Sequence, residues 1–183
     1  RYNLLLSIMN LKKYIRSIPN YPKNGILFRD ITTLIKDENA FAETINQIVE
    51  RSKKYNFNKV AAIESRGFVF ASAVSYILKK PFIMLRKKNK LPADVHSIDF
   101  ELEYGTATIE VHKDSIDQKD TVLIIDDLIA TGGTAEAAAK LIEISGGKVA
   151  AFIFVINLFD LSGSDNLMKN NYKVENLIDF PGH

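Results

Sequence analysis

The stretch Thr121-Val122-Leu123-Ile124-Ile125-Asp126-Asp127-Leu128-Ile129-Ala130-Thr131-Gly132-Gly133-Thr134 decides the fold. Thr121–Ile125 is a continuous apolar strand of the kind buried on both faces of a parallel sheet. Two carboxylates close it, a loop of small residues follows, and a helix is predicted from about Thr134 to Ser145, where Gly146-Gly147 ends it. Glycines let backbone N–H groups approach an anion, and a helix N-terminus adds unpaired donors and partial positive charge. Thr131 and Thr134 add hydroxyls, so Ala130–Thr134, with Gly132 and Gly133, reads as a phosphate cradle. No Lys follows the second glycine, which excludes the Walker loop, and the spacing is not that of the dinucleotide fingerprint. Asp126 and Asp127, directly before the cradle, suit a neighbouring sugar diol and can support a metal bound to it. The expected ligand is a ribose 5-phosphate derivative. The rival is a plain strand–turn–helix with two solvated acids; the agreement of acids, threonines, glycines and flanking elements counts against it.

Working outward, Asn10 is predicted to cap a short helix placing Leu11, Tyr14, Ile15 and Ile18 on one face. Pro19, Pro22 and Gly25 then mark turns. A second helix follows Asn39, with Phe41, Ile45, Ile48 and Val49 at helical spacing. Lys59–Ile63, Phe82–Leu85 and Val149–Ile156 read as buried strands, and Phe68–Lys80 as a helix. Leu102–His112 ends in strand-like alternation of Ala107, Ile109 and Val111 with Thr108, Glu110 and His112. Apolar strands alternating with helices predict an α/β domain, a mostly parallel twisted sheet flanked by helices. In such sheets ligands bind beyond the carboxyl ends of the strands.

Composition narrows the function classes. The 183 residues carry 46% hydrophobic and 25% charged side chains, ordinary for one soluble domain. A net charge of +2 is too small for a general nucleic-acid binder, and no run approaches the roughly 20 apolar residues of a membrane helix. The absence of cysteine removes disulfides and thiolate metal sites and fits a reducing cytosol. Met9 is read as a candidate start, with the preceding residues an extension of uncertain origin. His96, His112 and His183 have no metal-ligand spacing.

Further motifs surround the central one: Tyr21-Pro22-Lys23-Asn24-Gly25-Ile26-Leu27-Phe28-Arg29-Asp30, Glu64-Ser65-Arg66-Gly67-Phe68, Arg86-Lys87-Lys88-Asn89-Lys90-Leu91-Pro92, Leu102-Glu103-Tyr104-Gly105 and the closing Phe180-Pro181-Gly182-His183. Taken alone, Arg66 is a turn residue at a strand end, favourably placed for an anion. The run Arg86–Lys90 taken alone is a solvated turn; no aromatic residues interleave to make it a nucleic-acid patch. Phe28 has plain core packing as its rival. Together, and in this order, the motifs resemble the adenine phosphoribosyltransferase family of the type I phosphoribosyltransferases over nearly the whole chain after Asn10.

The resemblance implies a single domain over residues 10–183, with a small base-binding hood at 10–35 and a mobile loop at 86–104. It implies transfer of a phosphoribosyl group from 5-phosphoribosyl-1-pyrophosphate to adenine, giving AMP and pyrophosphate in purine salvage. Ala130–Thr134 would hold the 5-phosphate, and Asp126 and Asp127 would face the ribose hydroxyls. Ser65, Arg66 and Gly67 would form the pyrophosphate loop, and Arg86, Lys87 and Lys90 would neutralise the leaving group. Leu27, Phe28, Arg29 and Leu128 would meet the base. Glu103, beside Tyr104, would move the purine proton, with Arg66 and Lys90 as the other catalytic groups. Mg2+ would be held mainly by pyrophosphate and ribose oxygens, with no direct protein ligand expected. The family more often has Pro-Gly where this chain has Lys88-Asn89; Asn tolerates left-handed backbone, so the turn is expected to survive. A cytoplasmic homodimer is implied, with the N-terminal helix and Glu64–Gly67 as interface elements and neither nucleic acid nor membrane as partner. Two alternatives stay open: a phosphoribosyltransferase for another purine, and a regulatory module that binds without turnover.

Overall fold

Five parallel strands carry the site. In the computed structural model, which describes residues 9–102 and 105–183, the chain divides into an N-terminal unit reaching to Asn46 and a larger unit, Gln47–Gly182. The larger unit is built on one seven-stranded sheet in the order β5-β6-β4-β3-β7-β8-β9. Strands β3 (Lys59–Ile63), β4 (Phe82–Lys87), β7 (Thr121–Ile129), β8 (Lys148–Leu158) and β9 (Val174–Phe180) run parallel. At one edge the hairpin of β5 (Val95–Leu102) and β6 (Gly105–His112) pairs antiparallel, with β6 against β4. The Val/Ile/Leu runs read from the sequence are the central strands: Val60–Ala62, Val122–Ile125 and Ala151–Ile156 are essentially solvent-free. Helices α3 (Arg66–Leu78) and α4 (Gly133–Ile144) flank the sheet, and α4 is thin enough to lie close because Ala135, Ala137, Ala138 and Ala139 face inward. Gly146, at a φ of +101°, ends α4 as expected.

The smaller unit corrects the predicted N-terminal helix. Asn10 does cap, accepting from Lys12 N, but the helical turn spans only Leu11–Tyr14. Ile15 is already extended, and Ile18 lies in strand β1 (Arg16–Pro19), paired antiparallel with β2 (Leu27–Asp30). Two causes favour strand: Pro19 pushes the residue before it out of the helical region, and Arg16 is bound to Asp30 at 2.5 Å. A short helix α1 (Thr32–Ile35) follows, and α2 (Glu38–Ser52) starts where Asp37 accepts from Asn39 N and Ala40 N. In the larger unit, Arg51 in the last turn of α2, with Lys54 and Tyr55 just beyond it, reaches Glu175 of β9.

Like β2 and α1, the last strand β9 and the short helix α5 (Gly163–Lys169) had no expectation. Three strands outrun their predicted ends: β4 by two residues, β8 at both ends, and β7 through both acids to Ile129. The segment predicted as loop contains all of β5, so His96 lies in a strand. All eight β5 residues pair with β6, and Ile98 and Phe100 pack against the core. Those two side chains anchor the second half of the segment 86–104 that the resemblance makes a mobile loop.

Candidate active site

Asp126 and Asp127 sit near the carboxyl end of β7 and project differently. Asp127 is buried, and its carboxylate meets Arg66 Nε at 2.6 Å. Asp126 lines the pocket floor and accepts the backbone N–H of Asp127 at 2.8 Å. Burial, then the charge of Asp127, pushes the Asp126 carboxyl well above the usual carboxylate range. Asp127, more than burial, sets the direction for Arg66, whose guanidinium is held above its ordinary value.

A pocket of about 250 Å³ lies over these acids and gathers Ser65, Arg66, Asp126, Asp127, Leu128 and the whole of Ala130–Thr134. That volume is near the lower end for small-molecule sites. Its wall after β7 is the predicted cradle: Gly132 takes a φ of +91°, which only glycine adopts without strain, and α4 begins at the next residue. The opposite wall is the turn after β3, whose Glu64–Ser65 peptide is cis. Gly67 was expected to let backbone approach pyrophosphate. The close approach the structure shows is to Asp126, since a Cβ on Gly67 would stand 2.8 Å from Asp126 Oδ1.

Glu64 also lines this pocket; the sequence reading placed it in the Glu64–Gly67 turn but gave its side chain no role. Its carboxylate holds Arg86 Nε at 2.6 Å, tying the basic run to the pocket rim. The readable signal was a lone acid directly before Ser65-Arg66-Gly67, with Arg86 at the end of the neighbouring strand. Past Arg86, Lys87, Lys88 and Lys90 are exposed. Asn89 takes the left-handed conformation expected of it, at φ 66°, and donates its N–H to buried Glu110 at 3.1 Å. Lys87 and Lys90 do not line the pocket.

Leu27, Phe28 and Arg29 belong to the N-terminal unit. Phe28 is half-buried with its ring edge-on to Tyr21 at 5.2 Å, so it is not plain core. Arg29 is buried and donates to Ser17 Oγ at 2.5 Å. Glu103 and Tyr104 lie outside the described residues. Among the described residues no group of three or more His, Asp or Glu is placed to hold a metal ion, so the paired acids are the candidate support for a cation brought in by substrate. No helix among them is long and apolar enough to cross a membrane.

The arrangement offers a ribose 5-phosphate three things at once: backbone donors, paired acceptors, and an arginine beside the acids. Comparisons with known proteins agree with it. The family profile described as phosphoribosyl transferase domain matches residues 31–182. Adenine phosphoribosyltransferase of Pelagibacter ubique is 81% identical over 175 residues, covering 96% of this chain and 100% of that one. The solved adenine phosphoribosyltransferase of Thermoanaerobacter pseudethanolicus has a TM-score of 0.90 at 42% identity, over 95% of this chain and 100% of that one. The Saccharomyces cerevisiae enzyme, solved with an imino-altritol bisphosphate and adenine, has a TM-score of 0.85 at 32% identity, over 93% and 98%. The chain belongs to the adenine phosphoribosyltransferase family of the type I phosphoribosyltransferases.

Proposed function

We propose that the chain transfers the phosphoribosyl group of 5-phosphoribosyl-1-pyrophosphate to adenine, releasing AMP and pyrophosphate. The observation that carries this is the pocket in which Asp126 and Asp127 stand between the Ala130–Thr134 cradle and Arg66, in a chain 81% identical to an enzyme of that name. The cradle amides and the Thr131 and Thr134 hydroxyls take the 5-phosphate, and Asp126 and Asp127 accept from the ribose diol. The bond from ribose C1 to the pyrophosphate oxygen breaks ahead of bond formation, and pyrophosphate leaves with the electron pair. The ring oxygen shares the charge left at C1, and N9 of adenine attacks it while losing its proton. Catalysis is then positioning and charge stabilisation, without a covalent intermediate. Arg66 and Arg86, with Lys87 and Lys90, neutralise the leaving group. The diol competes with Arg66 for Asp127, the acid that Arg66 pairs with.

Finer assignments rest on the family resemblance. Glu103 is the proposed proton acceptor, and Leu27, Phe28, Arg29, Leu128 and Tyr104 the proposed base-side contacts; the adenine held by the yeast relative supports a base site of this kind. Residues 86–104 are proposed to close over pyrophosphate and exclude water. Mg2+ is proposed as the substrate's counter-ion, supplying charge neutralisation to the pyrophosphate. A cytoplasmic homodimer is proposed as the working form. The exposed apolar side chains Val69, Tyr76 and Ile77 of α3, just past the Glu64–Gly67 turn, support an interface there.

Parallel turnover assays with adenine, hypoxanthine and xanthine test the proposal. A site that pairs with the amino edge of adenine leaves buried groups unpaired with the other bases, so discrimination of about ten-thousand-fold is expected. Comparable efficiency with hypoxanthine would overturn the choice of base, and no turnover with any of them would favour a binding module.

A further inference from the structure

The closing motif Phe180-Pro181-Gly182-His183 takes no part in the chemistry derived above, yet Gly182 is in close contact with the turn that leads into α5. Its N–H donates to Asp160 Oδ1 at 2.5 Å, and a Cβ on Gly182 would come within 2.7 Å of that oxygen and of Leu161 Cγ. Leu161 ends a helical turn, Phe159–Leu161, and Ser162 takes a left-handed φ of 62° before Gly163. Gly163 donates its N–H to Ala130 O at 3.0 Å. A Cβ on Gly163 would stand 2.3 Å from Ala130 O and 2.8 Å from Gly132 N, inside van der Waals contact of backbone atoms that cannot swing aside. From the other side, a Cβ on Gly132 would lie 3.0 Å from Gly163 Cα. Ser164, buried beside Gly163, accepts from Asn176 Nδ2 of β9 at 2.9 Å, and Phe180 at the end of β9 is buried. The last strand, the turn and Gly163 thus form a continuous brace behind the Ala130–Thr134 loop.

We propose that Gly163 is a positioning residue for the 5-phosphate site, and that the Phe180-Pro181-Gly182 segment sets it by fixing the Phe159–Gly163 turn. The proposal rests on the reading of Ala130–Thr134 as the 5-phosphate cradle. Because Gly163 acts through the cradle backbone, it governs ligands that carry a 5-phosphate. It does not govern pyrophosphate, which addresses Arg66 and the basic turn.

Calorimetric titration of AMP and of magnesium pyrophosphate, with melting curves, tests it on Gly163→Ala, Gly182→Ala, Asp160→Ala, Asp160→Asn and Thr134→Ala. Gly163→Ala is expected to weaken AMP binding about tenfold or more, and Gly182→Ala and Asp160→Ala about threefold, while pyrophosphate affinity stays at the wild-type value. Asp160→Asn keeps a carbonyl acceptor for Gly182 N–H and should restore AMP binding. AMP affinity unchanged in folded Gly163→Ala, or AMP and pyrophosphate weakened alike, overturns the proposal. Should Gly163→Ala fail to fold, the Asp160 and Gly182 variants decide, and unchanged AMP binding in them overturns it. Thr134→Ala tests the cradle itself: if it leaves AMP binding untouched, the underlying reading fails, whatever Gly163 does.

Discussion

The two regions proposed to meet anions are built in opposite ways. At Ala130–Thr134 the chain presents backbone, fixed by the end of a solvent-free strand below, α4 beyond and Gly163 behind. At Arg86–Lys90 it presents long side chains on an exposed turn, of which Arg86 is fastened, by Glu64. A backbone cradle loses little freedom when its ligand arrives, whereas each Lys gathered onto pyrophosphate gives up rotamer freedom. On the proposed reading, one half of the site is formed before substrate comes, and the other is assembled by it.

Breaking the preformed half should cost most. Asp127→Asn removes the charge that pairs with Arg66 and one of the two acceptor oxygens proposed for the diol, and kcat/KM is expected to fall roughly a hundredfold in steady-state assays, with the melting curve showing a folded protein. Unchanged affinity for phosphoribosyl pyrophosphate would remove Asp127 from the site. Lys90→Ala acts on the assembled half and should be milder. We expect the KM for phosphoribosyl pyrophosphate to rise by about fivefold, with a shallower salt dependence than the wild type and AMP affinity almost unaltered. Equal loss of AMP affinity would mean the two halves are not separable.

The smallest effect sharpens the comparison on the side of stability. The folded-state pKa of Asp126 lies above its unfolded value of 3.8, so folding binds a proton there. Stability from this group is full below the unfolded value and is lost as pH rises through the folded one. Asp126→Asn should therefore melt higher than the wild type at neutral pH, by about 1 kcal/mol, while turning over more slowly. The gain should vanish as pH falls below 3.8, where the wild-type group becomes protonated in both states. Thermal denaturation across pH checks this, and a variant less stable at neutral pH would contradict it.

The same contrast explains what was legible in the sequence. The β7–cradle–α4 segment was readable because strand, acids, glycines and helix each leave a local signature, and the structure brings Asp126, Asp127 and Ala130–Thr134 into one pocket. The basic run was ambiguous because exposed charge looks alike in a solvated turn and in an anion clamp. Its partners, Glu64 in the turn after β3 and Glu110 in β6, become visible only when the sheet order is known. Of the β5–β6 hairpin, β6 was legible and β5 was not: Ile98, Phe100 and Leu102 alternate with Ser97, Asp99 and Glu101, but Val95 and His96 reverse that pattern at its start, so that Ile98 and Phe100 alone pack against the core. The N-terminal helix was overextended because Ile15 and Ile18 fit helical spacing, while the pairing that claimed them, Arg16 with Asp30, is fourteen residues apart. Gly163 could not be found by pattern at all; its importance lies in what a Cβ would strike.

Hydrogen exchange over residues 86–102, with and without phosphoribosyl pyrophosphate and magnesium, measures the difference between the two regions directly. The account predicts that the amides of Lys90, Leu91 and Asp94 exchange quickly without substrate and slow on binding, while those of β7 before Asp126 stay protected throughout. Equal protection of residues 86–102 in both states would contradict it, leaving the basic run an ordinary solvated turn.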